Sequence, residues 1–269
     1  MRAFREWIEY WLVRGLLELR LPKKALYKLF ERLADLLFFV DAKRRRLSEE
    51  NLRLAGFDPA IAKSSYRQMA RSVAEIVLMW QRRFDFSAIE GDVRFKSDKP
   101  KLFVTAHFGN WEALAHHMAQ KGVKVAIVGR EGNNKLIDRR IVRPFRQMYG
   151  NRLIYKEGAL KHLIKALKQG ENVGLLIDQK AGRAGVPTTF FDRPCKTVPS
   201  VALLAKRFDV EVVPLFLARE GEKFRIIQKE FACEGCDEVA FTQKLNDILE
   251  DVVRAYPDQW FWMHNRWKM

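Results

Sequence analysis

The stretch LFVTAHFGNWEALAHHMAQ, residues 102–120, passes from one hydrophobic pattern to another within a few residues. Its first part, LFVTA, is a short run of apolar and β-branched residues, which is typical of a buried strand. The FGN segment then favours a turn, and Asn110 is a suitable N-cap for a helix that begins near Trp111. A strand that leads directly into a helix predicts a sheet with helices packed on its faces.

The same alternation continues along the chain. Further apolar runs predict strands at VKVAIV (123–128), VGLLI (173–177) and VEVVPLFL (210–217), with KFRIIQ (223–228) as a hairpin partner. Helical patterns lie near residues 48–90 (with a break near 56–59), 111–121, 134–149, 158–169, 198–208 and 238–255. We therefore expect an α/β fold, a mixed sheet flanked by helices, in one domain that covers residues 46–269.

Residues 1–45 have a different character. Pro22 separates two amphipathic helical patterns, and the basic cluster KRRR follows at residues 43–46. An apolar face that is rich in aromatic residues and lies beside basic residues is typical of a helix in a membrane surface. Charged residues interrupt the run from Trp7 to Leu21, which predicts peripheral attachment rather than a membrane span. The alternative is that these helices pack their apolar faces on the domain core.

The overall charge indicates an anionic partner. The chain has 269 residues, with 49 Lys and Arg against 33 Asp and Glu, and a net charge of +16. Nucleic acid, phospholipid headgroups or an acidic substrate would each satisfy such an excess. Aromatic residues make up 12% of the chain and include seven Trp, which favours a membrane interface, and no nucleic-acid-binding motif is present.

Cysteine usage predicts neither a disulfide framework nor a metal site. The chain contains Cys195, Cys233 and Cys236, and the CEGC pair has the spacing of half a zinc site. Because no second CxxC or HxxxH follows, we interpret the pair as two free thiols in a surface turn. This usage favours a reducing compartment.

His107 is the first candidate for chemistry, because it follows a predicted strand directly and Glu112 lies in the first turn of the next helix. Ligand sites in α/β sheets gather at the carboxyl ends of strands. We predict that the Glu112 carboxylate reaches back to one imidazole nitrogen, so that the other nitrogen can act as a base. A metal-dependent hydrolase that uses His107, Glu112 and His116 is a competing interpretation, although HExxH is absent and no third ligand is evident.

HFGNWE (107–112) resembles the H-x4-D/E signature of the glycerophospholipid acyltransferase superfamily, and its Glu form resembles the lipid A lauroyl/myristoyl acyltransferase branch. The resemblance extends from about residue 5 to the C-terminus. It rests on several blocks in the same order: VGRE (128–131), LLIDQKAG (175–182), GVPTTFFDRP (185–194), KTVPSVALLAKR (196–207), VVPLF (212–216) and QWFWMHNRWK (259–268).

This resemblance implies transfer of an acyl chain from an acyl carrier protein thioester, or from acyl-coenzyme A, to a hydroxyl of a lipid A precursor, with no other cofactor and no metal. His107 would deprotonate the hydroxyl and Glu112 would orient His107. Arg130 would stabilise negative charge or hold a substrate phosphate, and Asp178 would position Arg130 or a nearby lysine. Basic residues after Asp178 would contact the anionic glycolipid: Lys180, Arg183, Arg193 and Lys196.

The implied location is the cytoplasmic face of the bacterial inner membrane, with peripheral or monotopic attachment. Two alternatives remain open at the level of sequence. The acceptor could be a lysophospholipid or another glycolipid. The chain could also be a non-enzymatic basic protein that binds membranes or nucleic acid.

Overall fold

The computed structural model describes residues 2–182 and 184–268. Its first part is helical, with α1 (Arg2–Leu17), α2 (Lys23–Val40), α3 (Ala42–Leu54) and α4 (Ile61–Trp80). α1 ends shortly before Pro22 and α3 ends shortly before residues 56–59, where the sequence predicts breaks. The KRRR cluster lies inside α3, and the division of the chain at residue 45 stays a prediction.

The N-terminal helices bury one face and expose another. In α2, Leu26, Phe30 and Ala34 recur every four residues and are buried, and Leu26 and Phe30 pack in one cluster with residues of α1 and α4. Most of the exposed large apolar side chains lie on α1 and α2: Phe4, Trp7, Ile8, Trp11, Leu12, Leu16, Leu33, Leu36, Leu37, Phe39 and Val40. Throughout residues 2–182 and 184–268, every helix is too short or too polar to cross a bilayer.

The remainder alternates strands and helices. The strands are β1 (Ile89–Glu90), β2 (Lys101–Thr105), β3 (Val125–Gly129), β4 (Arg152–Tyr155), β5 (Asn172–Leu176), β6 (Val186–Phe190), β7 (Arg193–Thr197), β8 (Glu211–Glu220) and β9 (Lys223–Gln228). The helices are α5 (Trp111–Gln120), α6 (Lys135–Ile137), α7 (Arg143–Arg146), α8 (Ala159–Lys168), α9 (Ser200–Arg207) and α10 (Glu238–Ala255). A π-helical turn at Asp138–Val142 joins α6 to α7, and 3-10 turns lie at Phe86–Ala88 and Pro257–Gln259.

Among the described residues, seven strands form one mixed sheet in the order β1-β9-β8-β2-β5-β3-β4. β8 and β9 are antiparallel and the other neighbours are parallel, while β6 and β7 form a separate antiparallel hairpin. One face of the sheet packs against α8, α9 and α10, and the other packs against α4 and α5. The predicted α/β fold with a mixed, helix-flanked sheet is therefore confirmed.

Two parts of the prediction were incomplete. β1, β4 and the β6–β7 hairpin were not predicted, because β1 and β4 have only two and four residues and the hairpin carries proline and charged residues in place of an alternating pattern. The cysteine interpretation was wrong, since Cys233 and Cys236 are joined by a disulfide. Cys195 is free and buried.

Candidate active site

The carboxyl ends of two neighbouring strands bring His107 and Asp178 together. β2 and β5 are parallel, and Thr105 pairs with Leu176 in their register. His107 and Asp178 each lie two residues beyond that last pair, so both side chains emerge at the same edge of the sheet. The Nδ1 atom of His107 lies 2.9 Å from Oδ1 of Asp178, and the backbone N–H of His107 donates to Oδ2 at 3.0 Å.

Asp178 is held by the C-terminal segment as well. The indole Nε1–H of Trp260 donates to Oδ2 of Asp178 at 3.0 Å, and the N–H of Phe261 donates to the carbonyl of His107 at 3.0 Å. Asp178 and Trp260 are both buried. These contacts fix the carboxylate and the imidazole together, so the orientation of the ring is set before any substrate arrives.

Electrostatics favour a strong base at this position. Burial disfavours the charged imidazolium, but the charge and the hydrogen bond of Asp178 outweigh it, so the pKa of His107 lies above its ordinary value. Burial likewise raises the pKa of Asp178, but the pairing with His107 and Trp260 lowers it by more. In this pair Nδ1 of His107 is hydrogen-bonded to Asp178, so Nε2 is the nitrogen that can exchange a proton.

The structure corrects the predicted partner of His107. Nδ1 contacts Asp178, whereas the Glu112 carboxylate is bound by Arg146 of α7, with Nη2 to Oε1 at 2.5 Å and Nε to Oε1 at 2.9 Å. Asp178 thus has the orienting contact that the sequence interpretation gave to Glu112, and it contacts neither Arg130 nor a lysine among its hydrogen bonds. The physical reason for this change of partner is that β2 and β5 pair in parallel. The spacing of His107 and Glu112 in the sequence does not reveal that pairing.

Arg146 crosses the end of β3 because Gly129 leaves room for it. A Cβ atom at position 129 would lie 2.6 Å from Nη1 of Arg146, too close for van der Waals contact. Glu112 follows the N-cap Asn110, whose side chain accepts from the N–H of Ala113 at 2.8 Å. Glu112 and Arg146 therefore form a fixed ion pair, partly buried beside the imidazole.

A tight turn separates His107 from α5. Gly109 has φ of +53°, and a Cβ there would lie 1.9 Å from the carbonyl oxygen of Leu217. The N–H of Gly109 donates to the carbonyl of Gln259, and its own carbonyl accepts from Ser72. Only glycine fits this close approach of two chain segments, and the turn is thereby locked on both sides.

The free nitrogen of His107 faces Gln179. Nε2 of the Gln179 amide lies 3.4 Å from Nε2 of His107. Gln179 is exposed, so a substrate hydroxyl can replace its amide at the imidazole without breaking a buried contact. This marks the side of His107 on which a proton can be exchanged.

His107 opens onto a cavity of about 660 Å³ whose walls are mostly apolar. Both faces of the sheet contribute to the walls, with Leu114 and Met118 from α5, and Leu163 and Val201 from α8 and α9. Glu112, Arg146 and Arg130 lie at the same cavity. Thr105 also lines it, and within the described residues its buried hydroxyl has no hydrogen-bond partner. A volume of this size accommodates a long apolar group with its polar end at His107.

The other predicted site residues separate into two groups. Arg130 and Lys180 line the cavity, and the backbone N–H of Lys180 donates to Nε2 of His264 at 2.7 Å. Arg193 and Lys196 lie in the β6–β7 hairpin and are exposed away from the cavity walls, where Nε of Arg193 donates to the carbonyl of Leu54 at 2.7 Å. The predicted loop cluster is thus divided, because the segment folds into a hairpin. Arg183 lies outside the described residues.

Arg130 also lines a second, smaller pocket of about 540 Å³. Arg5 of α1, Lys135 and Glu131 line it too, and Lys135 pairs with Glu131. Two arginines that approach one pocket from different elements suit a phosphate group, which accepts bidentate hydrogen bonds from guanidinium groups.

Within the described residues, the histidines beyond His107 build no metal site. His116 is buried between Phe145 and Tyr149, and burial lowers its pKa to about 4. Within residues 2–182 and 184–268, both of its ring nitrogens lack a hydrogen-bond partner, and no group of three or more His, Cys, Asp or Glu residues is arranged to hold a metal ion. The metal-hydrolase interpretation therefore has no geometric support in this part of the chain.

Arg146, Gln179 and Trp260 were not predicted as site residues. Gln179 is adjacent to Asp178 and belongs to a block that supports the family resemblance, so its neighbourhood was visible. Arg146 gives no such signal, since it is one of several arginines in the segment 139–146. Its role depends on the space that Gly129 leaves, which only the folded chain reveals.

Comparison with known proteins identifies the family of the chain. The family model described as bacterial lipid A biosynthesis acyltransferase matches residues 1–269. The lipid A biosynthesis acyltransferase 2 of Shigella flexneri is 25% identical over 60% of this chain and 53% of its own length, so the match spans about half of that relative. The lipid A biosynthesis lauroyltransferase of Escherichia coli K12 is 24% identical over 98% of this chain and 92% of its own length. The palmitoleoyltransferase of the same strain is 23% identical, over 76% and 70% respectively.

Proposed function

We propose that this chain, which belongs to the bacterial lipid A biosynthesis acyltransferase family, moves a fatty acyl chain from an acyl carrier protein thioester to a hydroxyl group of a lipid A precursor. The observation that carries the proposal is the His107–Asp178 pair at the mouth of a mostly apolar cavity. The pair supplies a base, and the cavity supplies a place for an acyl chain.

In this mechanism Nε2 of His107 takes the proton of the acceptor hydroxyl as the oxygen attacks the thioester carbonyl carbon. Asp178 holds Nδ1–H and stabilises the imidazolium that forms. The tetrahedral intermediate then collapses, the carbon–sulfur bond breaks, and the imidazolium returns the proton to the departing thiolate. The products are an ester and a free thiol, and no acyl-enzyme forms.

Arg146 and Thr105 are positioned for the negative charge that develops on the carbonyl oxygen. The Arg146 guanidinium is fixed by Glu112 and lines the same cavity as His107, so it need not reorganise during the reaction. Thr105 adds a buried hydroxyl that is unpaired within the described residues. Glu112 acts in this scheme as a positioning residue for Arg146.

The acceptor is proposed to be an anionic glycolipid because the cations near the reaction edge suit phosphate. Arg130 lies between the cavity and the pocket that it shares with Arg5, while Lys180 follows Gln179 at the cavity. A lysophospholipid or another glycolipid would also satisfy these cations. Mass spectrometry of lipid A from a deletion strain separates the possibilities, since a missing acyl chain identifies lipid A as the acceptor.

The exposed apolar side chains of α1 and α2 are proposed to rest in a membrane surface, where the acceptor lipid is found. Trp7 and Trp11 are 54% and 52% exposed, and several leucines on both helices are similarly uncovered. Such a face, with basic residues on α3 beside it, favours peripheral attachment to anionic lipid. Peripheral or monotopic attachment at the cytoplasmic face of the inner membrane follows as the proposed location.

The test is an in vitro assay with a panel of acyl donors and a lipid A precursor. His107→Ala is expected to lower kcat by about 10³-fold or more, because it removes the base. Folding is checked by circular dichroism and thermal unfolding, and Lys121→Ala, at an exposed position after α5, is the control with wild-type rates. A folded His107→Ala protein with the wild-type rate would refute the mechanism.

A further inference from the structure

The cavity that opens at His107 is framed on one face of the sheet by two helices. α8 packs on β3, β4 and β5, and α9 packs on β2. Because β2 and β5 are neighbours, the two helices cover adjacent strands on the same face of the sheet. The N-terminal parts of both helices line the cavity, with Leu160 and Leu163 from α8 and Ser200 and Val201 from α9.

The outer surfaces of these helices are strongly basic. Neither ALKHLIKALK (159–168) nor SVALLAKR (200–207) contains an Asp or a Glu. In α8 the lysines recur at i, i+4 and i+7 and therefore share one face. We call the exposed cations of the two helices the basic rim: Lys161, Lys165, Lys168, Lys206 and Arg207.

Within the described residues, the cations of the basic rim are not paired with carboxylates. In the part of the chain that the structure describes, none of its cations forms an ion pair with a carboxylate, whereas most other charged helices here carry such pairs. Two exposed apolar side chains lie among the cations, with Leu160 at 51% and Leu203 at 40% exposure. Unpaired like charges repel one another, and binding of an anionic partner would offset this repulsion.

We infer that the basic rim is the docking surface for the protein that delivers the acyl thioester, and that it binds an acidic helical face of that protein. This inference rests on the proposed function. A helix with acidic residues on either side of an apolar strip complements lysines that flank Leu160 and Leu203. Docking there places the thioester arm at the cavity mouth, where Leu160 is both exposed and part of the wall.

The membrane is the less suitable occupant because it has a different surface. The exposed aromatic face belongs to α1 and α2, which pack with α4 in one cluster, and α4 packs on the side of the sheet that carries α5. α8 and α9 pack on the opposite side. A planar bilayer that contacts α1 and α2 therefore leaves the basic rim free. The two substrates then approach from different sides, the lipid past α1 and the carrier protein past α8.

The experiment compares two donors with one enzyme. The acyl carrier protein thioester carries protein and charge, whereas the acyl thioester of N-acetylcysteamine carries neither. The variant is Lys161→Glu, Lys165→Glu and Lys206→Glu together. The control is Lys63→Glu, Lys121→Glu and Lys124→Glu, which makes the same change in net charge at exposed positions on α4, at the end of α5 and just before β3.

We expect the rim variant to lose about tenfold or more in kcat/KM with the carrier-protein donor and less than twofold with the small donor. The wild-type rate with the carrier protein should fall steeply with added salt, and the rim variant should lose that dependence. The control should match the wild type with both donors. Equal rates of the rim variant and the wild type with the carrier protein, or equal losses with both donors, would overturn the inference.

Direct binding separates this inference from the proposed function. Purified acyl carrier protein should bind the wild type and the control at low salt, but not the rim variant, and this holds even if no donor supports transfer. Binding to anionic phospholipid vesicles should be the same for all three proteins. Loss of vesicle binding in the rim variant with unchanged carrier binding would make the basic rim a membrane surface and refute the docking role.

Discussion

The His107–Asp178 pair and the Glu75–Arg219 pair are both buried charged clusters, but they differ in one respect. The Glu75 carboxylate accepts from Arg219, Tyr27 and Asn110, and the side chains of Glu75 and Arg219 are 0% and 2% exposed. In the other pair, the side chain of His107 is 23% exposed and its Nε2 faces a cavity.

The difference teaches how a buried charge acquires a role. A cluster whose hydrogen-bonding atoms are all occupied holds elements together: Glu75 links α4 to α2, β8 and the N-cap of α5. A cluster that leaves one basic atom open to a cavity can move a proton. We therefore expect variants of the first pair to change stability and variants of the second to change rate.

The largest effect is expected from Asp178→Asn. Asparagine can donate to Nδ1 and so stabilise the tautomer that carries its proton on Nε2, which cannot accept the proton of the hydroxyl. kcat should fall by about 10³- to 10⁴-fold, which corresponds to about 4 to 5.5 kcal/mol of transition-state stabilisation. Steady-state kinetics measure this change. A folded variant with more than a tenth of the wild-type kcat would contradict the proposal that Nε2 of His107, which faces the cavity, takes the proton.

The next effect is on stability. Glu75→Ala leaves Arg219 buried without its carboxylate, and the free energy of unfolding should fall by at least about 3 kcal/mol. Asp35→Ala, which breaks the exposed pair with Arg67, is the matched control and should cost at most about 1 kcal/mol. Denaturant unfolding measures both. Equal losses in the two variants would mean that the Glu75–Arg219 pair contributes no more to the free energy of unfolding than a surface pair does.

A smaller effect is expected from Glu112→Gln. The substitution removes the charge that fixes Arg146 but leaves the base intact, so kcat should fall by about 10- to 100-fold with little change in KM. Arg146→Lys should behave similarly, because lysine lacks the paired geometry of the guanidinium group. Glu171→Gln, which breaks the half-exposed pair with Arg152, is the control with near wild-type kcat. A larger loss in Glu112→Gln than in Asp178→Asn would restore the partner that the sequence predicted.

The sequence predicted the sheet and the position of His107 more reliably than the partner of His107. Strands such as Lys101–Thr105 are continuous apolar runs, and His107 follows one of them directly, so both are local features. The pairing of His107 with Asp178 depends on β2 lying beside β5, which is a property of strand order. Glu112 was favoured as the partner of His107 because the two residues are close in the chain. In the folded protein the Glu112 carboxylate binds Arg146 instead.

The family resemblance was also more reliable than single charges. Ordered blocks along the chain identified the acyltransferase family, and the family model confirmed it over residues 1–269. The loop cations did not stay together, because the segment after Asp178 folds into a hairpin that carries Arg193 away from the cavity. The net charge of a sequence indicates that the protein has an anionic partner. The position of each charged side chain depends on how the chain packs.

The pH dependence of kcat/KM in the wild type, Asp178→Asn and Glu112→Gln tests the central claim most directly. In the proposed mechanism activity requires neutral His107, and Asp178 holds the pKa of His107 above the ordinary value of about 6.5, so the wild-type rate should rise with pH through a midpoint above that value. Burial alone lowers the pKa of His107, so Asp178→Asn should move the midpoint below 6.5, while Glu112→Gln should move it by less. A midpoint that stays in place in Asp178→Asn but shifts downward in Glu112→Gln would contradict the account.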